Sequence, residues 1–134
     1  MRMIFVNLPV KNVEASKAFF AALGFSHNKQ FSDENSASIV IDENIVVMLL
    51  NEARFKDFTT LPIADATKAT QVLNALSCSS RQEVDDLQGK ALAAGAKPWM
   101  PSQDHGFMYG TSFQDLDGHV WELMWMDPAA VQPA

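Results

Sequence analysis

One cysteine, Cys78, stands in 134 residues. A single thiol excludes an internal disulfide framework and any cysteine-rich zinc site. Because it follows an apolar stretch, it reads as a buried, inert side chain. Positive charge is also scarce: 10 Lys and Arg against 16 Asp and Glu give a formal net charge of −6. No basic cluster is present to neutralise a phosphate backbone, so nucleic acid is not an expected partner. Long hydrophobic runs are missing too. A run such as Ile45 to Leu50 is far too short to cross a bilayer, and the opening MRMIFVNLPV lacks the apolar core and cleavage site of an export signal. The expectation is a soluble, cytoplasmic protein with no membrane partner. A hydrophobic share of 48% allows one compact domain over 1–134, or two small modules sharing one core.

What is present is organised around Phe113 to Asp127, FQDLDGHVWELMWMD. Asp117-Gly118 is a tight-turn dipeptide between two β-forming runs, so it predicts a hairpin with strands at about Phe107 to Gln114 and His119 to Met126. Alternation along the second strand puts Trp121, Leu123 and Trp125 on one face and Val120, Glu122, Met124 and Met126 on the other. The tryptophan face needs cover, most simply a helix. A carboxylate among Val and Met is exposed, paired, or at a site.

Upstream, the pattern predicts a strand from about Arg2 to Pro9, then a helix capped by Asn12, with Phe19, Phe20 and Leu23 on its apolar flank and Gly24 closing it. A polar strand, Phe25 to Phe31, follows. Ser36 to Ile41 and Ile45 to Asn51 are strands joined by Asp42-Glu43-Asn44. Glu52 to Thr60 suits a short helix or a lid-like loop, and residues 61–69 a linker. The second half repeats the plan: a strand from Gln71 to Ser77, a helix capped by Ser79 or Ser80 with Glu83, and a stripe of Val84, Leu87, Ala91 and Ala94 closed by Gly95. A strand from Lys97 to Pro101 precedes the hairpin. Modules of about 1–60 and 70–127 each read βαβββ, and Phe5 to Asn12 overlays Leu73 to Ser80, a tandem repeat. The fold class is α+β: tandem βαβββ modules forming a cupped, mostly antiparallel sheet with helices on the outer face, the cup being the default ligand site.

The duplication, the opening VNLPVKNVEASKAFFAALGF and the closing FQDLDGHVWELMW resemble the vicinal oxygen chelate superfamily, which includes glyoxalase I (lactoylglutathione lyase), bleomycin-resistance proteins and extradiol dioxygenases. The resemblance implies a cup in which four strand positions, commonly His, Glu or Gln, bind a divalent metal that chelates vicinal oxygens of the substrate. It also implies a homodimer, with exposed strand edges and Phe55 or Phe58 as contacts. Those four positions fall here at Phe5, Val47, Leu73 and Glu122. Only Glu122 can ligate, and one carboxylate cannot hold Zn, Ni or Fe. No metal or other cofactor is therefore expected.

Other donors are sparse. His119, beside the turn glycine, reads as a hairpin-fixing residue and His27 as solvated, while Asp104-His105 has metal-compatible chemistry but no third partner in sequence. Phe5 and Asn7, Val47 and Leu49, Leu73 and Ala75, and Glu122 and Met124 are expected to line an apolar basin, with Tyr109 adding a hydroxyl. Such a basin suits a small, partly aromatic molecule with one donor for Glu122; equally, Glu122 can simply be hydrated. Met48, Met100, Met108, Met124 and Met126 read as core filler. As a catalytic residue, Glu122 would be a general base with its pKa raised by desolvation, but an enolate would find only Arg54 or Lys56 to stabilise it. Two classes remain: a metal-independent small-molecule binding protein, and a lyase, isomerase or dioxygenase with another ligand set.

Overall fold

The structure, a computed structural model, describes residues 1–131. The chain falls into two compact units, Met1–Asp65 and the chain from Ala66 onward. Each is a mixed α+β unit built on one open sheet; the first follows a βαβββ plan and the second the same plan with the strand after its helix split in two.

In the first unit, β1 (Ile4–Val10) leads into α1 (Val13–Ala22). Asn12 is extended, and its side chain accepts a hydrogen bond from Ala15 N at 2.9 Å, satisfying one of the amides that a helix start leaves orphaned. Gly24, at φ +99°, ends the helix. Next come β2 (His27–Asn28), β3 (Ser36–Asp42), β4 (Ile45–Asn51) and the one-turn helix α2 (Glu52–Phe55), followed by a 3-10 turn at Lys56–Phe58. The sheet order is β1-β4-β3-β2, with β1 parallel to β4 and the other pairs antiparallel. The expected strand from Phe25 to Phe31 shrinks to two residues. Asn28 Oδ1 accepts from Gln30 N at 3.0 Å and Ser32 Oγ donates to Asn28 O at 2.6 Å, turning the backbone into a 3-10 turn at Lys29–Phe31.

The second unit contains β5 (Leu73–Ser77), α3 (Arg81–Ala93), β6 (Lys97–Pro98), β7 (Gln103–Asp104), β8 (Met108–Gln114) and β9 (Val120–Met126). Ser80 is the cap of α3: its side chain accepts from Glu83 N at 3.0 Å, while Glu83 Oε1 accepts from Ser79 N at 2.9 Å. The order β5-β9-β8-β6 reproduces that of the first unit, β5 being parallel to β9. Helix α3 packs on β8 and β9, and Trp121 and Leu123 are buried, at 2% and 1% exposure. Two tryptophan-face side chains thus remove large apolar areas from water, the main favourable term holding the unit together.

The strand expected over Lys97 to Pro101 is broken. β6 and β7 both pair with β8, but the pairing slips by two residues between them: Pro98 lies opposite Phe113, and Gln103 opposite Gly110. Pro98 and Pro101 have no amide hydrogen for a ladder. The extra residues bulge outward and are held by Trp99 N donating to Ser112 O at 3.1 Å and Met100 N to Ser112 Oγ at 3.0 Å.

Candidate functional site

Strand register decides which predicted residues meet. In the second unit Ala75 lies beside Glu122 on β5 and β9, and Ser112 lies opposite Glu122 on β8, so all three share a face. The same parity brings Leu73, Met124, Gly110 and Met108 to that face. The bulge adds Trp99 and Met100 as a wall beside a half-open cavity of about 160 Å³ lined by Leu73, Trp99, Met100, Met108, Glu122 and Met124, among others. Gly110 keeps the floor low where Met124 crosses it: a Cβ there would lie 3.4 Å from Met124 Cγ and 3.3 Å from Leu123 O. Glu122 is half-buried, and among the described residues neither a donor nor a cation pairs with its carboxylate.

Three residues expected in the basin lie elsewhere. Tyr109 pairs with Trp125, so it stands on the helix-covered face, where its hydroxyl donates to Asp85 Oδ1 at 2.6 Å and its ring lies under the Arg81 guanidinium. In the first unit, Phe5 pairs with Val46 and Asn7 with Met48. Val47 and Leu49 fall on the opposite face, buried at 2% and 0% exposure with Ala37 and Ile39. The expectation was one residue out of phase, and a slip of one moves every side chain to the other face. Phe5 and Asn7 do share a face; Phe5 is 56% exposed, and Asn7 Nδ2 donates to Phe5 O at 3.3 Å.

The remaining candidates are committed locally. Asp104 receives two hydrogen bonds from Arg81, at 2.7 and 2.9 Å, which hold its carboxyl down at about 2. His105 sits beside Gln103, 3.2 Å away. Arg54 is bonded to Asp57 at 2.8 Å and lies 4.7 Å over the Phe58 ring. Burial pushes the Cys78 thiol up to about 11, with Glu83 adding to the effect, so it stays protonated and unreactive. Sequence reasoning missed Asp115. Its Oδ1 accepts from Asp117 N and His119 N, and its Oδ2 from Trp121 Nε1, making it the hub of the hairpin turn. The spacing DLDGH carried that signal, since an aspartate bonding amides two and four residues on builds such turns. Arg81, which sits over both Tyr109 and Trp125, gave no comparable sign.

Known proteins share this architecture. Residues 2–42 match the family model for the bleomycin resistance protein-like N-terminal region. A hypothetical protein from S. aureus superposes with a TM-score of 0.78 at 28% identity, over 93% of this chain and 94% of that one. A glyoxalase/bleomycin resistance protein/dioxygenase family enzyme from Burkholderia phytofirmans PsJN gives 0.77 at 15% identity, over 94% and 99%. The fold is that of the glyoxalase and bleomycin-resistance proteins, and residues 2–42 are similar to the N-terminal region of the latter. Another structure of this fold, a genomically encoded fosfomycin resistance protein from Listeria monocytogenes, gives 0.67 at 18% identity, over 93% of both chains. No curated protein sequence matches significantly.

The strand positions that the resemblance assigns to a metal carry a single carboxylate. Phe5 and Leu73 carry no lone pair, and the β4 residues sharing a face with Phe5 are Val46 and Met48. Glu122 is the single carboxylate at those positions, and among the described residues no three of His, Cys, Asp and Glu come together. Nor is any described helix long and apolar enough to cross a membrane.

Proposed function

We propose that this chain is a vicinal oxygen chelate protein that binds a small organic molecule on the Glu122 face of its second sheet without the usual metal. The observation that carries the reading is the cavity itself: a mostly apolar lining, with Gln103, Thr111 and Ser112 as its neutral polar side chains, around one carboxylate that no described residue pairs. Such a site offers area to an apolar or aromatic body and one acceptor to a donor on it. The reading includes a cytoplasmic homodimer; one free cysteine and unpaired outer edges on β1 and β5 support it.

A second reading is favoured by the resemblance, which assigns Glu122 to the ligand position on the last strand. It is a lactoylglutathione lyase-type lyase, isomerase or dioxygenase that completes a metal site with an unrecognised ligand set. Elemental analysis of untagged protein, with calorimetric titration of Ni, Zn, Mn and Fe(II), separates the two. The expected result is no binding tighter than roughly micromolar. About one tightly held metal per chain, lost in Glu122→Ala, overturns the first reading and establishes the second.

A further inference from the structure

The cavity at Glu122 holds one ionisable side chain, and among the described residues nothing neutralises it. The two arginines closest in role are used up: Arg81 binds Asp104 from the opposite face, and Arg54, in the first unit, binds Asp57. Around Glu122 stand three thioethers (Met100, Met108 and Met124), the Leu73 side chain and the Trp99 indole. Thioethers are polarizable and adapt to varied shapes, and an indole face attracts a cation held against it. An unpaired carboxylate among such groups discriminates between a charged and a neutral donor, because only a cation adds a direct Coulomb attraction to the hydrogen bond, and that attraction strengthens where water is partly excluded. The net charge of −6 acts in the same direction at longer range.

We infer that the site selects organic cations, with an ammonium head group seated at Glu122 between Trp99 and the methionines and an apolar or aromatic body attached to it. The cavity volume of about 160 Å³ suits a head group with a ring or short chain, the rest of a larger ligand lying outside. This inference rests on the binding reading above and adds the ligand's charge to it.

Three near-isosteric probes test it: benzylammonium, benzyl alcohol and benzoate, titrated calorimetrically at constant ionic strength. Benzylammonium should bind on the order of tenfold more tightly than benzyl alcohol, and benzoate weakest of the three. Glu122→Gln keeps the shape and removes the charge, so the ammonium and alcohol affinities should converge while alcohol binding persists. Tyr109→Phe, altered on the opposite face, should leave the ratio unchanged. Equal affinities for ammonium and alcohol in the wild type, or a preference that survives Glu122→Gln, overturn the cation inference alone. No saturable binding of any probe at millimolar concentration overturns it together with the binding reading.

Discussion

Trp121 Nε1 donates to Asp115 Oδ2 at 3.0 Å inside the β8–β9 hairpin, joining a 7% exposed carboxylate to the largest fully buried side chain of the unit. Burial raises the Asp115 pKa, against the lowering effects of nearby His119 and of the bonds it accepts from Trp121 and the turn amides. The native state therefore holds its proton more tightly than the unfolded chain. Its contribution is greatest below the ordinary aspartate range and fades as pH rises through the raised native value.

Asp115→Asn should retain the two turn amide bonds but present an amide N–H₂ to the indole N–H. Leaving that buried donor unmatched costs about 1–3 kcal/mol. Trp121→Phe removes the unmatched donor, so the double variant should lose less than the sum of the single losses. Urea denaturation of the four proteins completes the cycle, and strict additivity would show that the bond carries no energy of its own.

The Arg81–Asp104 pair predicts the opposite pH behaviour. Asp104 is held down at about 2, so its favourable pairing is present above the unfolded aspartate range and is lost as pH falls through that range toward 2. Arg81→Met should be less stable than the wild type at pH 6, and the gap should narrow between pH 4 and pH 2. Denaturation midpoints across that window check it; a gap independent of pH would assign the effect to packing against Tyr109 and Trp125 instead.

Gly24 and Gly118 both have positive φ, at +99° and +89°, but their surroundings differ. Nothing lies within 4 Å of a Cβ built on Gly24, whereas one on Gly118 would come within 2.9 Å of the Ala66–Thr67 backbone. Gly24→Ala should cost about 1–2 kcal/mol from conformation alone, and Gly118→Ala clearly more. Similar thermal shifts for the two would contradict the close approach at the hairpin turn.

Leu49→Ala should destabilise by about 2–5 kcal/mol, because Leu49 is fully buried. Met48→Ala, on the Phe5 face and only half-buried, should cost distinctly less. The reverse order would restore the discarded strand phase. Chemical denaturation of both variants decides it.

These positions also show what the sequence made legible. Asn12, Ser80 and Glu83 announce their helix ends because a cap is a local bond between a short polar side chain and an orphan amide. Strand phase is a different matter. In Ile45–Asn51 both faces are largely buried, Val46, Val47, Leu49 and Leu50 all among them, so the run is apolar throughout and its alternation is erased. Its phase is set by parallel pairing with β1, a contact some 40 residues away in sequence. On β9 the alternation survives because Glu122 interrupts it, and the faces of Trp121 and Glu122 were readable. Tyr109 was misplaced for want of such a mark on Met108–Gln114, where Gly110, Thr111 and Ser112 suit either face. Neither local patterns nor composition revealed the two-residue slip that builds the cavity wall, since it depends on where β8 offers partners.

The slip has a consequence for how such a protein changes over generations. Its bulge is held at Ser112 and by Ser102 Oγ, 3.1 Å from Thr111 Oγ1, and is flanked by prolines that offer the ladder no amide hydrogen. Residues there can be exchanged, added or removed without disturbing the β5-β9-β8 pairing or the helix packed behind it. The wall that shapes the cavity can therefore vary independently of the scaffold that positions Glu122, at small thermodynamic risk.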